Sequence, residues 1–221
     1  ATLVPPYDDL RTMAGQGTIA AEILDQLDAE PDLVIVPVGG GGCIAGITTY
    51  LAERTSGTSV LGIEPAGAAA MIAALAAGEP VTLEDVDQFV DGAAVNRAGT
   101  LTYAALAAAG DMVSITTVDE GAVCTAMIDL YQNEGIIAEP AGALSVAGLV
   151  EADIEPGSTV VCVVSGGNND VSRYGEVLER SLVHLGLKHY FLVDFPQEPG
   201  ALRRFLDSVL GPGDDITLFE Y

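Results

Sequence analysis

The chain has 221 residues, with Lys+Arg 8 against Asp+Glu 32 and a formal net charge of −24. Hydrophobic residues make up 49% and charged residues 18%, enough apolar material for a buried core and too much for a disordered acidic tail. The acidic balance argues against nucleic acid and anionic membrane surfaces, which demand Lys and Arg. Phosphate-bearing small molecules stay open, because backbone N–H groups at a helix start bind phosphate without a basic side chain.

Cys43, Cys124 and Cys162 are odd in number and widely spaced. They match neither a disulfide framework nor a zinc pattern, so a reducing, cytoplasmic location is expected. No signal-peptide pattern opens the chain. Residues Leu33 to Ala52 run uncharged for a membrane-spanning length but contain Pro37 and four glycines, Gly39 to Gly42. Each glycine costs about 1 kcal/mol inside a helix, so a strand, a loop and a helix start are expected instead of a span. The chain opens on Ala1 and closes inside an expected strand, and it reads as part of a longer protein.

In chain order, Ile19 to Leu27 carries Ile19, Ile23, Leu24 and Leu27 on one helical face. Leu33 to Val38 is a continuous apolar run, as in a strand buried on both faces. Cys43 to Arg54 reads as a helix and Ser59 to Glu64 as a second buried strand. Ala68 to Ala77 is an Ala-rich helix ended by Gly78 and Pro80. Leu83 to Ala98 is irregular and acidic. Thr100 to Ala109 is a helix, Met112 to Val118 a strand, and Asp119 caps a helix running to about Asn133. Pro140 to Glu151 is helical, Ser158 to Ser165 is a third buried strand, and Ser172 to Leu185 is the closing helix. This alternation implies an α/β fold, a parallel sheet with helices on both faces. After Gly186 the pattern changes: Lys188 to Phe195 reads as a half-exposed strand, Ala201 to Leu210 as a helix, and ITLFEY as another strand. A domain boundary near Gly186 follows, and residues 186–221 are too few to bury a core alone.

A buried strand, four glycines and a helix make the strongest chemical signal. Missing Cβ atoms let the backbone bend and approach a ligand, and the helix start favours a phosphate. A tight turn with nothing bound needs fewer glycines. The triphosphate loop ends in Gly-Lys-Ser/Thr, and no lysine stands here. A dinucleotide site fits better: Gly40, Gly42 and Ala45 match G-x-G-x-x-A, and Glu64 ends the next strand 24 residues after Gly40, near where a ribose-binding acid belongs. A second turn, Ser165-Gly166-Gly167-Asn168, follows the third buried strand at the edge where ligands bind in open α/β sheets. Ser165 there offers a hydroxyl that both donates and accepts; alone, it could equally be a capping residue.

In this order, VPVGGGGCIAG, IEPAGAA, DGAAV, AEPAGALSVAG and VVSGGNND resemble the threonine dehydratase family. That family has the pyridoxal-phosphate fold (type II) shared with serine racemase and the tryptophan synthase β chain. VPPYDD and GQGTIAAEI resemble the segment just before, and FLVDFPQEPGALRRFL resembles the start of the ACT-like regulatory domain of the biosynthetic enzyme. The match covers nearly the whole chain. It implies that residues 1–185 are the C-terminal part of the catalytic domain and residues 186–221 the start of an ACT-like α+β regulatory domain. It further implies that the backbone of Gly39, Gly40, Gly41, Gly42 and Cys43 holds the phosphate of pyridoxal 5′-phosphate. Ser165 then hydrogen-bonds the pyridine nitrogen. A hydroxyl there does not enforce a protonated ring, as a carboxylate does, and that suits β-elimination. Asp91 to Val95 is expected near the ring, and Glu139 either tunes the site or pairs with a helix N-terminus. The family reaction turns L-threonine, or L-serine as an alternative substrate, into a 2-oxo acid and ammonia; from threonine the product is 2-oxobutanoate, for isoleucine biosynthesis. Isoleucine on the regulatory domain is the expected inhibitor, and a homo-oligomer, commonly a tetramer, the expected assembly.

The sequence departs from this pattern in two places. The cofactor-binding lysine is expected ahead of Ala1, and Lys188, the one lysine present, lies beyond the domain boundary. No catalytic residue is therefore expected in this chain, and alone it is expected to be inactive. Related dehydratases begin a divalent-metal site at the position of Glu64 and place an acid six residues later. Ala70 stands there, so no metal is expected, since a hard cation needs several oxygen ligands. His184 and His189 form no triad or metal set. Cys43 at a helix start is either a thiol of lowered pKa or a residue packed close to the phosphate.

Overall fold

Four parallel strands form the central sheet of the computed structural model, which describes residues 3–220. They are β1 (Leu33–Pro37), β2 (Ser59–Pro65), β3 (Val113–Val118) and β4 (Val160–Cys162), side by side in the order β3-β2-β1-β4. Ile35 of β1 stands opposite Leu61 on one side and Cys162 on the other. The apolar runs of β1 and β2 are buried as expected, whereas the third, which gives β4, is only half-buried. Their alternation divides the core in two. Ile35, Leu61 and Ile63 point into one half with Val123, Met127 and Leu144. Val34, Val36, Val38 and Val60 point into the other with Ile44, Ile47, Leu51 and Met71. Ile35, Ile44, Ile63 and Leu144 are fully buried, so truncating any one to Ala costs about 2–5 kcal/mol.

The helices cover both faces as the βα alternation requires. α1 (Leu10–Gln26), α2 (Gly42–Arg54), α3 (Ala70–Ala77) and α4 (Thr100–Ala109) supply one half of the core. α5 (Glu120–Asp129), α6 (Pro140–Ala147) and α7 (Tyr174–His184) supply the other. α1 starts well before the expected Ile19, because Asp9 caps it by accepting from the Arg11 amide at 2.8 Å. Gly17 serves packing: a Cβ there would sit 3.1 Å from the Gly46 carbonyl, so α1 and α2 cross nearly backbone to backbone. α5 is capped by Asp119, which accepts from the Gly121 amide at 2.8 Å, and it runs into a single π turn over Leu130–Glu134. β4 is shorter than the expected Ser158 to Ser165. It is an edge strand, half-buried throughout, and it pairs with β1 on one side only.

The chain divides after Lys188 into a large unit and a small one that starts at His189. Within the small unit, α8 (Ala201–Val209) is the regular element, and the Phe195 and Phe205 rings stack with centroids 6.3 Å apart. The strands expected at Lys188 to Phe195 and at the ITLFEY end are not formed by the described residues; Tyr221 lies outside them. Phe191 and Leu192 stand exposed there. Among the described residues no helix is long and apolar enough to cross a membrane.

Candidate functional site

The four glycines form the turn from β1 into α2. Gly41 has φ +92°, a left-handed conformation that L side chains rarely adopt, and it is the N-cap of α2. Close approach accounts for the others. A Cβ on Gly39 would lie 2.9 Å from the Ala93 Cα, one on Gly42 2.9 Å from the Tyr7 Cα, and one on Gly40 inside the Tyr7 ring. The Gly40 carbonyl accepts from the Thr102 hydroxyl at 2.7 Å and from the Gly99 amide at 3.2 Å. The amides of Gly39, Gly40, Gly41, Gly42 and Cys43 donate to no other described residue. Gly40, Gly41 and Gly42 are buried. Buried N–H groups are almost always satisfied, and those at the first turn of a helix carry partial positive charge. A row of such amides suits a small anion.

Ser165 lies three residues past the end of the β4 ladder, in an irregular turn, and is exposed. Its hydroxyl bonds to no described residue. β1 and β4 are parallel neighbours, with Ile35 opposite Cys162, so the glycine turn and the Ser165 turn leave the same sheet edge. The Gly166 carbonyl accepts from the Glu139 amide at 3.0 Å. A Cβ on Gly166 would meet the Glu139 Oε1 at 2.6 Å, and one on Gly142 would strike the Gly166 carbonyl. Glu139 N-caps α6 without a side-chain hydrogen bond. The Asp91 to Val95 turn completes the neighbourhood: Ala93 abuts Gly39, and the Cβ position of Gly92 is 3.9 Å from the Glu139 Oε1. The edge thus brings Gly39 to Ala93 on one side and Gly166 to Glu139 on the other, with Gly92 next to Glu139. Tyr7 and Thr102 shape the glycine turn and were not singled out in the sequence. Tyr7 sits in VPPYDD, whose resemblance marked the segment but no role; nothing around Thr102 signalled it.

Electrostatics sort the remaining candidates. Burial pushes the Cys43 thiol up to about 11, so desolvation outweighs the helix start and the thiolate is disfavoured. Glu64 is fully buried at the end of β2. Its Oε1 accepts from the Met71 amide at 2.7 Å and its Oε2 from the Ile72 amide at 2.9 Å. Burial raises its carboxyl to about 7, against those bonds, which lower it. Both oxygens are taken up by the first turn of α3, so the dinucleotide alternative loses its ribose acid. Among the described residues no group of three His, Cys, Asp or Glu is arranged to hold a metal. Lys188 folds back on α7: its Nζ is 2.6 Å from the Glu179 Oε1, and its amide donates to the Leu182 carbonyl at 3.1 Å. His184 sits 3.4 Å from Asp119 at the opposite end of that helix from Arg173.

The sequence as a whole can be set beside known proteins. The pyridoxal-phosphate dependent enzyme family matches residues 1–166, and the C-terminal regulatory domain of threonine dehydratase matches residues 179–221. The L-threonine dehydratase biosynthetic IlvA of Mycobacterium tuberculosis (strain H37Rv) is 90% identical over 221 residues, covering 100% of this chain and 52% of that protein. The protein of the same description from Bacillus subtilis (strain 168) is 53% identical over the same spans. The chain therefore covers about half the length of the curated relatives it matches. Among solved structures, the processed form of threonine deaminase isoform 2 from Solanum lycopersicum aligns with a TM-score of 0.75 at 36% identity, over 80% of this chain and 52% of that one. Serine racemase from Dictyostelium discoideum aligns with a TM-score of 0.69 at 29% identity, over 77% of this chain and 54% of that one. Matched over most of its length, and folded as its relatives are, this chain belongs to the pyridoxal-phosphate dependent enzyme family.

Proposed function

We propose that this chain is the cofactor-phosphate half of a longer L-threonine dehydratase, which converts L-threonine to 2-oxobutanoate and ammonia. The single observation that carries the reading is the row of amides from Gly39 to Cys43 that donate to no other described residue, at the edge shared with Ser165; the 90% identity to the mycobacterial enzyme supports it. Pyridoxal phosphate, when bound, supplies the electron sink that labilises bonds at the amino acid's α-carbon. The chain's own residues bind and orient. The Gly39–Cys43 amides hold the phosphate, which needs no basic side chain. The Ser165 hydroxyl hydrogen-bonds the pyridine nitrogen, and the Asp91 to Val95 turn lies beside the ring. Residues 1–185 belong to the catalytic domain and residues 186–221 begin the regulatory domain, with isoleucine as effector, a homotetramer as assembly and the cytoplasm as location. Lys188, bonded to Glu179 on α7, takes no part, so the reacting lysine comes from the other half of the longer protein.

The test is an assay of 2-oxobutanoate with pyridoxal phosphate and L-threonine, beside L-serine. The longer protein is expected to turn over threonine and the 221-residue chain alone to show no turnover. Turnover by the chain alone that vanishes in Lys188→Ala would overturn the assignment.

A further inference from the structure

Two of the eight cationic side chains in this acidic chain converge on one phenylalanine. The Arg173 guanidinium lies 5.0 Å and the Arg180 guanidinium 4.2 Å from the centroid of the Phe89 ring. Phe89 is 4% exposed. Arg180 also reaches Glu176 at 2.9 Å on its own helix and Asp87 at 3.9 Å. Arg173 does something Arg180 does not: its Nη2 donates to the Phe89 carbonyl at 2.7 Å, while its Nη1 stands 3.6 Å from Asp91. One planar fork therefore grips a main-chain oxygen while its other arm faces an exposed carboxylate two residues on. The gripped segment is a tight turn, in which the Val90 carbonyl accepts from the amides of Ala93 and Ala94 at 2.9 and 2.8 Å. Its far end, Ala93, is 2% exposed and stands where a Cβ on Gly39 would be.

We infer that Arg173 is a positioning residue for the glycine turn. By holding the Phe89 carbonyl and facing Asp91, it presses the Ala93 backbone against Gly39 and fixes the direction of the amides that follow. A charge-assisted bond to a carbonyl is directional and stronger than a neutral one. Packed backbone at Ala93 and Gly39 leaves no slack to absorb a shift. Arg180 braces the ring and leaves the carbonyl alone. This inference rests on the reading of Gly39 to Cys43 as a phosphate cradle.

The experiment uses the longer protein loaded with pyridoxal phosphate. Three readouts are taken: the cofactor dissociation constant, the phosphorus-31 resonance of the bound phosphate, and the melting temperature of the apoprotein. Arg173→Ala is expected to raise the dissociation constant about tenfold, the factor set by losing one charge-assisted bond, and to move the phosphorus resonance. Arg180→Ala is expected to lower the melting temperature while leaving the resonance in place. Arg173→Lys keeps a charge beside Asp91 without the planar fork; it is expected to give a smaller displacement of the same sign, and it decides the question where Arg173→Ala does not fold. Melting temperatures that fall with both arginines while affinity and resonance stay at wild-type values would overturn the inference, as would equal resonance shifts from the two alanine variants. Wild-type protein that binds pyridoxal phosphate without an immobilised phosphate resonance would overturn the cradle itself, and that outcome is visible before any variant is made.

Discussion

Glu64→Gln removes the one acid that is fully buried at the end of β2, and its effect should depend on pH. The folded carboxyl titrates at about 7 against an ordinary 4.5, because burial disfavours its charge. The folded protein therefore holds this proton more tightly than the unfolded chain. The sign follows from linkage: the contribution is fully present below about pH 4.5 and disappears as pH rises through about 7. At about 1.4 kcal/mol per pH unit the full span is about 3 kcal/mol, of which about 2.5 kcal/mol falls between pH 5 and pH 8. For a unit of this size that is roughly 5–10 °C of melting temperature. Thermal unfolding of wild type and Glu64→Gln at both pH values measures it. Repulsion among the other acids acts in both proteins, so the difference of differences isolates Glu64. The variant also meets a cost at all pH values, because a Gln amide can accept from Met71 or Ile72 but not from both; this lowers its melting temperature at pH 5. A variant that loses stability between pH 5 and pH 8 as steeply as wild type would refute the reasoning.

Gly41→Ala places a side chain at φ +92° and against Met71 and Thr102. The left-handed backbone costs about 1–2 kcal/mol and overpacking about 1–3 kcal/mol more, a loss to be read from urea unfolding, with pyridoxal phosphate binding lost as well. Alkylation of the three thiols, pushed up to about 11, 12 and 11 for Cys43, Cys124 and Cys162, should keep accelerating with pH beyond the point at which a free cysteine levels off; a plateau near pH 8.5 would contradict the burial argument. Lys188→Ala should cost less than about 1 kcal/mol, since its partner Glu179 is 40% exposed, and it should leave 2-oxobutanoate formation by the longer protein unchanged.

Much of this fold was legible because the two central strands, β1 and β2, are buried on both faces. An uninterrupted run such as Leu33 to Val38 has only one comfortable environment, and the glycines after it mark where the chain turns. The edge strand was less legible: the apolar run Ser158 to Ser165 continues past the residues that find a ladder partner, and hydrophobicity does not record where pairing stops. The start of α1 lies ahead of the apolar face that marks the helix in the sequence, and Gly17 within it is small so that α2 can approach. The apolar and aromatic residues of Lys188 to Phe195 suggested a half-exposed strand, but such composition states a preference and pairing needs a neighbour. At the site, Gly39 to Cys43 could be named from local chemistry. Tyr7 and Thr102 could not, because their roles arise from contacts between segments far apart in the chain; Ala93 was reached only through the resemblance that singled out Asp91 to Val95. Glu64 shows the limit most plainly: the spacing that suited a ribose acid places it equally well over the first turn of α3, and only its bonds to the Met71 and Ile72 amides separate the two.

The glycine turn of this protein holds no group that can gain or lose a proton near neutrality. A pocket lined by lysine would weaken as the ammonium titrates and as salt crowds around it. One made of peptide dipoles has no proton of its own to lose, so pH would act on a phosphate bound there through the guest's second ionisation and through the carboxylates around it. In a polypeptide so rich in carboxylates, that constancy lets an anion settle where the surrounding field alone would turn it away.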